Sequence, residues 1–301
     1  MNSRSGLIAA VTAVFFWAAG NVMVRLVELP GLQLAFWRIG LAAVVYWIIL
    51  VASGRRLILE HLKASAPAAI AIGLQIAVLF TALKATTVAN ATVIVALQPI
   101  VLLFFGLRRF GERVSVRLAA LAFVALAGVA LVVFGSSGAP IWSPRGDILA
   151  VLAMLLFALY YVFAKTARAD VPALEFQTAV WVIGTVLLLP VALIDAGGIV
   201  IPELGHWVGI TALLAIPGSG HFLINWAHSR VKLSVTSMLT LAIPVLSTIG
   251  AALFLDEPLG GWQLPGIVIV VAALAAAVRR ETRLHLEHAE AAGQLETEPQ
   301  A

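Results

Sequence analysis

Cysteine is absent from this 301-residue chain, so disulfides and thiolate metal sites are excluded and redox usage says nothing about compartment. Charge is scarce as well: Asp, Glu, Lys and Arg make up 11% of the residues, against about 25% in a soluble domain. With 62% hydrophobic residues the chain is too apolar for a water-facing globule, and it belongs in a bilayer. No Gly-rich loop ending in Gly-Lys-Ser or Gly-Lys-Thr occurs, so ATP hydrolysis is unsupported. No carboxylate lies deep in an apolar run; all 15 Asp and Glu fall in loops, at run ends or in the tail. An enzyme acting on lipid-linked diphosphates would need paired acids for its metal, and none stand at membrane depth. Pro217-Gly218-Ser219-Gly220 departs from the Gly-x-Ser-Gly of intramembrane serine proteases at its first position, and no separate helix offers a histidine base. Neither catalysis nor a cofactor or metal is expected.

What is present is a series of long apolar runs. A bilayer span needs about 20 mostly apolar residues. Ten such runs occur, roughly 6–27, 32–52, 67–84, 89–109, 116–135, 147–167, 173–194, 206–228, 234–254 and 258–278. The first has the outline of a signal peptide, with Arg4 ahead of it, but it is a full span and is expected to stay. Connections are short and marked by turn residues such as Pro30-Gly31 and Gly197-Gly198.

The runs also repeat. Adding 145 to a residue number carries Ala82 onto Ala227, Pro99 onto Pro244 and Glu112 onto Glu257, without a gap between about 73 and 135. The chain therefore divides into a first five-helix unit at 1–135, a linker at 136–146 and a second five-helix unit at 147–280. A polar tail at 281–301 lacks a sustained apolar face and is expected to be solvated or disordered. Of the 19 Lys and Arg, 15 fall on the side of the N-terminus, Arg25, Lys84 and Arg145 fall on the other side, and Arg38 lies within a span. That bias puts both termini in the cytoplasm of an inner (plasma) membrane protein. Because the basic residues serve as topology signals, the formal net charge of +4 does not call for nucleic acid. With five crossings per unit, the second copy is inverted relative to the first, as in many secondary transporters.

Four segments then carry a resemblance: FFWAAGNVMVR in the first run, LAFWR opening the second, ALQPIVLLFF…GERVS, and its echo AIPVLSTIGAALFLDEPL. Together with the repeat they resemble the EamA-type drug/metabolite transporter family over residues 6–280. The resemblance implies an all-α polytopic membrane protein of ten helices in two inverted repeats. It also implies movement of small metabolites, often amino acids or related solutes. The second half lacks counterparts of Arg38 and of the Trp17 to Gly20 stretch, so substrate identity does not carry over.

Polar groups in hydrocarbon are costly unless they face protein, water or a solute, so those near run centres are the candidate site. They are Trp17, Asn21, Gln75, Gln98, Tyr160, His221 and Asn225, with Arg38 six residues into its run. Trp17 and Asn21 share a helical face, as do His221 and Asn225; each pair could line a cavity or glue helices together. Two readings stand for Arg38: a guanidinium holding a solute carboxylate through two hydrogen bonds, or one that snorkels or pairs with Glu28. Pro99 and Pro244 each deprive a carbonyl four residues back of its donor, near 95 and at Thr240, which makes a hinge or a plain kink. Pro217 to Gly220 predict a broken or closely packed helix. Glu112 and Glu257 are read as hairpin-turn carboxylates with a structural role. His221 is the one central group able to carry a proton, so movement is either facilitated or coupled through it. The expected partners are a small-molecule solute and the lipid bilayer, with the chain a monomer or weak homodimer. A channel or a lipid-substrate enzyme is the rival reading.

Overall fold

A computed structural model describes residues 3–86, 88–102, 115–134, 143–255 and 259–297. Among them every regular element is helical. In chain order they are α1 (Ser3–Leu26), α2 (Gly31–Ala52), α3 (Leu59–Ala85), α4 (Val88–Val95), α5 (Val116–Phe134), α6 (Pro144–Ala167) and α7 (Ala173–Ile194). A short 3-10 turn, Asp195–Gly197, follows, and then α8 (Leu204–Leu213), a π-helical segment Leu214–Gly218, and α9 (Ser219–His228). The chain closes with α10 (Leu233–Leu239), α11 (Ala242–Phe254) and α12 (Gln263–Thr297).

Eight helical stretches among the described residues are long and apolar enough to cross a membrane. They are Ser5–Leu26, Gly31–Ala52, Leu59–Ala85, Pro144–Ala167, Ala173–Ile194, Leu204–His228, Val235–Phe254 and Gln263–Arg280, with Val116–Val132 as a shorter apolar helix. The predicted run at 89–109 is described only to residue 102. It appears as α4 followed by a turn at 96–97 and helical backbone at 98–102. Glu112 and Glu257 lie outside the described residues.

Two boundaries differ from the sequence reading. The third helix begins at Leu59 and runs through Pro67, because LEHLKASA is helix-forming but too polar to count as an apolar run. The tail, expected to be solvated or disordered, continues α12 as helix to Thr297. Ala, Leu and Glu dominate that segment, and extending an existing helix needs no new nucleus.

Helix starts follow local chemistry. The Ser143 hydroxyl accepts the Gly146 N–H at 3.2 Å with Pro144 in the first turn, which satisfies a donor the helix cannot. At α8, Glu203 and His206 form a reciprocal capping box.

Polarity is inside out. Ile8, Phe15, Val44, Ile48, Val186 and Ile194 are exposed, whereas Gln33, Gln98, Gln177 and Asn225 are buried. That is the reverse of a soluble protein and suits an exterior solvated by lipid. The core falls into two parts. The larger is built from α1, α2, α3, α6, α7, α9 and their neighbours. The smaller joins α5 and α12 with residues of α10 and α11, including Ala125, Val129, Val245 and Val270. There a Cβ on Gly266 would lie 2.6 Å from the Gly128 carbonyl oxygen, so the backbones of α5 and α12 touch. Such small-residue contact is how helices associate without a hydrophobic driving force.

Candidate functional site

The two prolines separated by 145 residues break their helices in the same way. Pro99 leaves the Val95 carbonyl without its regular donor, and Pro244 does so for Thr240. Each helix stops four or five residues before its proline, α4 at Val95 and α10 at Leu239. The breaks are bridged by tighter bonds one residue shorter than α-helical, from Leu97 N to Ile94 O at 3.1 Å and from Ile243 N to Thr240 O at 2.9 Å. Backbone that leaves the helical ladder at membrane depth must find a cavity or protein partners. Here Val95, Thr240 and Pro244 border a cavity, while Pro99 is buried outside its lining.

That cavity encloses about 690 Å³ when the open solvent at its mouth is included. Its polar lining comprises Trp17, Asn21, Arg38, Gln75, Gln98 and His221, joined by Thr92 and Thr240. Its apolar walls include Ile76, Leu79, Phe80, Phe157, Leu213 and Ile243. Residues of α1 to α4 meet residues of α6 and of α8 to α11, so the space lies on the seam between the two sequence halves. Six of the eight residues singled out as solute contacts come together there. Tyr160 and Asn225 do not line it.

The broken helix of the second half makes room for the one charge. Pro217 has no N–H, which leaves the Leu213 carbonyl without its regular helical donor, and the backbone widens into the π segment. The Arg38 Nε–H donates to that carbonyl at 3.2 Å. The guanidinium carbon lies 5.5 Å from the centre of the Trp181 ring and 5.8 Å from that of Phe80, close enough for cation–π attraction. Arg38 is only 3% exposed. Among the described residues no carboxylate pairs with it, Glu28 included. Of the two readings, snorkelling and the Glu28 pair are therefore not what this geometry contains.

α1 is pressed against the same broken helix. A Cβ on Gly20 would lie 2.7 Å from the Pro217 ring, and one on Gly220 would lie 3.1 Å from Trp17 Nε1. Both glycines permit the approach, so the Pro-Gly-Ser-Gly stretch is at once discontinuous and closely packed. Trp17 stands edge-on to Phe157 at 5.4 Å and tilted to His221 at 5.0 Å. Asn21 donates to Ser247 Oγ at 3.2 Å, and Ser247 donates in turn to the Ala18 carbonyl at 3.3 Å. Asn21 thus borders the cavity and ties α1 to α11. Several buried polar atoms on the lining have no partner among the described residues: Trp17 Nε1, both amide atoms of Gln98, and His221 Nδ1.

Tyr160 and Asn225 belong to a second buried polar cluster. Tyr160 Oη donates to Asn225 Oδ1 at 2.8 Å, and Asn225 Nδ2 donates to Gln177 Oε1 at 2.6 Å. The Asn225 main-chain carbonyl accepts from Arg168 Nε at 3.1 Å, and Arg168 also donates to the Val171 carbonyl. Burial and then the neighbouring Arg230 hold the Arg168 guanidinium below its ordinary range, with Glu175 opposing. One sequence signal for this cluster was available: Gln177, like Asn225, is an amide within an apolar run. Thr92, Trp181 and Leu213 carried no such signal, because their roles depend on which helix faces which.

The comparisons with known proteins agree with this architecture. An "Uncharacterized transporter" of Archaeoglobus fulgidus is 28% identical over 289 residues, covering 91% of this chain and 97% of its own. The "Uncharacterized transporter YyaM" of Bacillus subtilis is 27% identical over 255 residues, covering 81% and 83%. A protein of known crystal structure superposes with a TM-score of 0.75 at 19% identity, covering 93% of this chain and 99% of its own, which speaks for the fold alone. The model of the EamA-like transporter family matches twice, at residues 4–134 and again at 144–279. Two family units thus account for almost all of a chain of lipid-length apolar helices, and the protein is a multi-pass membrane transporter belonging to the EamA-like transporter family.

Proposed function

We propose that this transporter moves a small metabolite by alternating access through the seam cavity. The carrying observation is that buried polar atoms of Trp17, Gln98 and His221, without partners among the described residues, border one cavity. Such atoms cost roughly 1–3 kcal/mol each when left without a partner, and a polar solute of metabolite size removes that cost. The full architecture is ten helices in two inverted five-helix repeats at 1–135 and 147–280, joined by 136–146. The repeated proline breaks at Pro99 and Pro244 act as the hinges on which the halves rock. The protein resides in the plasma membrane with both termini cytoplasmic, as the Lys and Arg bias supports, and acts as a monomer or weak homodimer. Transport is facilitated, with no energy-coupling reaction of its own.

The cysteine-free sequence supplies the test directly. Single cysteines at Leu79→Cys and Ile243→Cys are to be exposed to a membrane-impermeant maleimide from each side of oriented vesicles. Alternating access predicts that the cavity positions label from either side and that a transported solute protects them. Conductance that does not saturate, with no counterflow by unlabelled solute, overturns the carrier reading in favour of a channel.

A further inference from the structure

Arg38 is a buried cation without a counter-ion, and the cavity it borders holds no Asp or Glu among the described residues. A guanidinium has five N–H donors, and the bond to the Leu213 carbonyl uses one at Nε. Its two terminal nitrogens make no hydrogen bond to the described residues. Buried charges in proteins are normally paired, since an uncompensated one carries a full desolvation cost. The charge state of the solute therefore decides the charge of the loaded, closed cavity. A monoanion brings Arg38 to neutrality, a zwitterion leaves one uncompensated positive charge, and an amine adds a second.

We infer that the transported solute is a monocarboxylate with an apolar body and a neutral polar substituent, the carboxylate being the missing counter-ion of Arg38. The carboxylate oxygens accept from the terminal guanidinium N–H groups in the two-pronged geometry that arginine favours. The body lies against Ile76, Leu79, Phe80 and Ile243. The Gln98 amide, with both its donor and its acceptor unspent, receives a hydroxyl or carbonyl. A hydroxy or keto acid fits this set, and its zwitterionic amino-acid counterpart fits less well. The inference rests on the proposal that this cavity is the transport site.

Four probes with one carbon skeleton separate the charge states: 3-phenyllactate (monoanion), phenylalanine (zwitterion), phenylalaninol (cation) and 3-phenyllactamide (neutral). Binding is read as thermal stabilisation of the purified protein in nanodiscs, and transport as counterflow in proteoliposomes. The expected result is binding of 3-phenyllactate at least about tenfold tighter than of the other three. Arg38→Gln should abolish the distinction between acid and amide, while Arg38→Lys keeps a weakened preference for the acid and guards against a folding artefact. Equal or better binding of phenylalanine, phenylalaninol or the amide overturns the substrate class, as does an acid preference that survives in a folded Arg38→Gln protein. Selective acid binding without counterflow upholds the substrate class and overturns the carrier reading. If no probe of any charge binds or moves, both fall.

Discussion

Two buried polar clusters sit within one turn of each other along α9, and they differ in what their atoms do. Tyr160, Asn225 and Gln177 are bonded to one another at 2.6 and 2.8 Å, leaving only Gln177 Nε2 of their side chains without a partner among the described residues. Around His221, by contrast, Trp17, Gln98 and Arg38 border empty space with donors and acceptors unspent. The residue types are alike, since both clusters mix amides with aromatic rings. What separates them is satisfaction: a closed network specifies how helices pack, whereas an open one is incomplete until something enters.

This contrast can be broken by substitution, and the largest effect falls on Arg38. Arg38→Gln should reduce counterflow of a carboxylate solute by roughly 100-fold, the scale of a lost charge-assisted pair. It should leave the unliganded melting temperature unchanged or higher, because an uncompensated buried charge is removed. A large loss of stability would instead make Arg38 a packing residue. Next is Asn225→Leu, which should cost about 2–3 kcal/mol of stability by stranding Tyr160 and Gln177. Solute affinity of the surviving folded protein should stay within about twofold, because Asn225 does not line the cavity; a selective affinity loss would merge the two clusters into one site.

A smaller effect is expected at Gln98. Gln98→Leu should weaken solute binding by about tenfold, equivalent to one neutral hydrogen bond, with no loss of unliganded stability because no protein partner is stranded. Titration calorimetry alongside melting curves checks both halves of that statement. The smallest effect belongs to His221→Gln. Facilitated movement predicts that flux driven by a pH gradient changes by less than about threefold, and abolition of a gradient-driven component would instead place coupling on His221.

How far the sequence reveals this arrangement depends on whether a feature is local. A proline removes a donor wherever it stands, so the carbonyls freed before Pro99, Pro217 and Pro244 follow from the chain alone; that the helix also breaks there does not, since α3 runs on through Pro67 and α7 through Pro190. The share of a helix face is equally local, yet it misplaces Asn225. His221 and Asn225 lie on one face, but four residues add about 6 Å of depth, enough to carry Asn225 past the cavity and onto Tyr160. Trp181 escapes notice for a related reason. An indole in an apolar run looks like packing until the partner helix brings a guanidinium to its ring. The third helix extends beyond its apolar core because hydropathy detects lipid contact while helix propensity continues through Glu60 and Lys63.

Pro217 has a consequence for any attempt to transplant this chemistry. The seat on which the Arg38 guanidinium rests is a main-chain oxygen made available by a pyrrolidine ring on a different helix, in the opposite half of the molecule. An arginine grafted alone into the middle of an unbroken helix bundle would face main-chain oxygens already accepting from their own helices. The transferable unit is thus a pair of positions some 180 residues apart in sequence, a cationic side chain and the proline that vacates its acceptor.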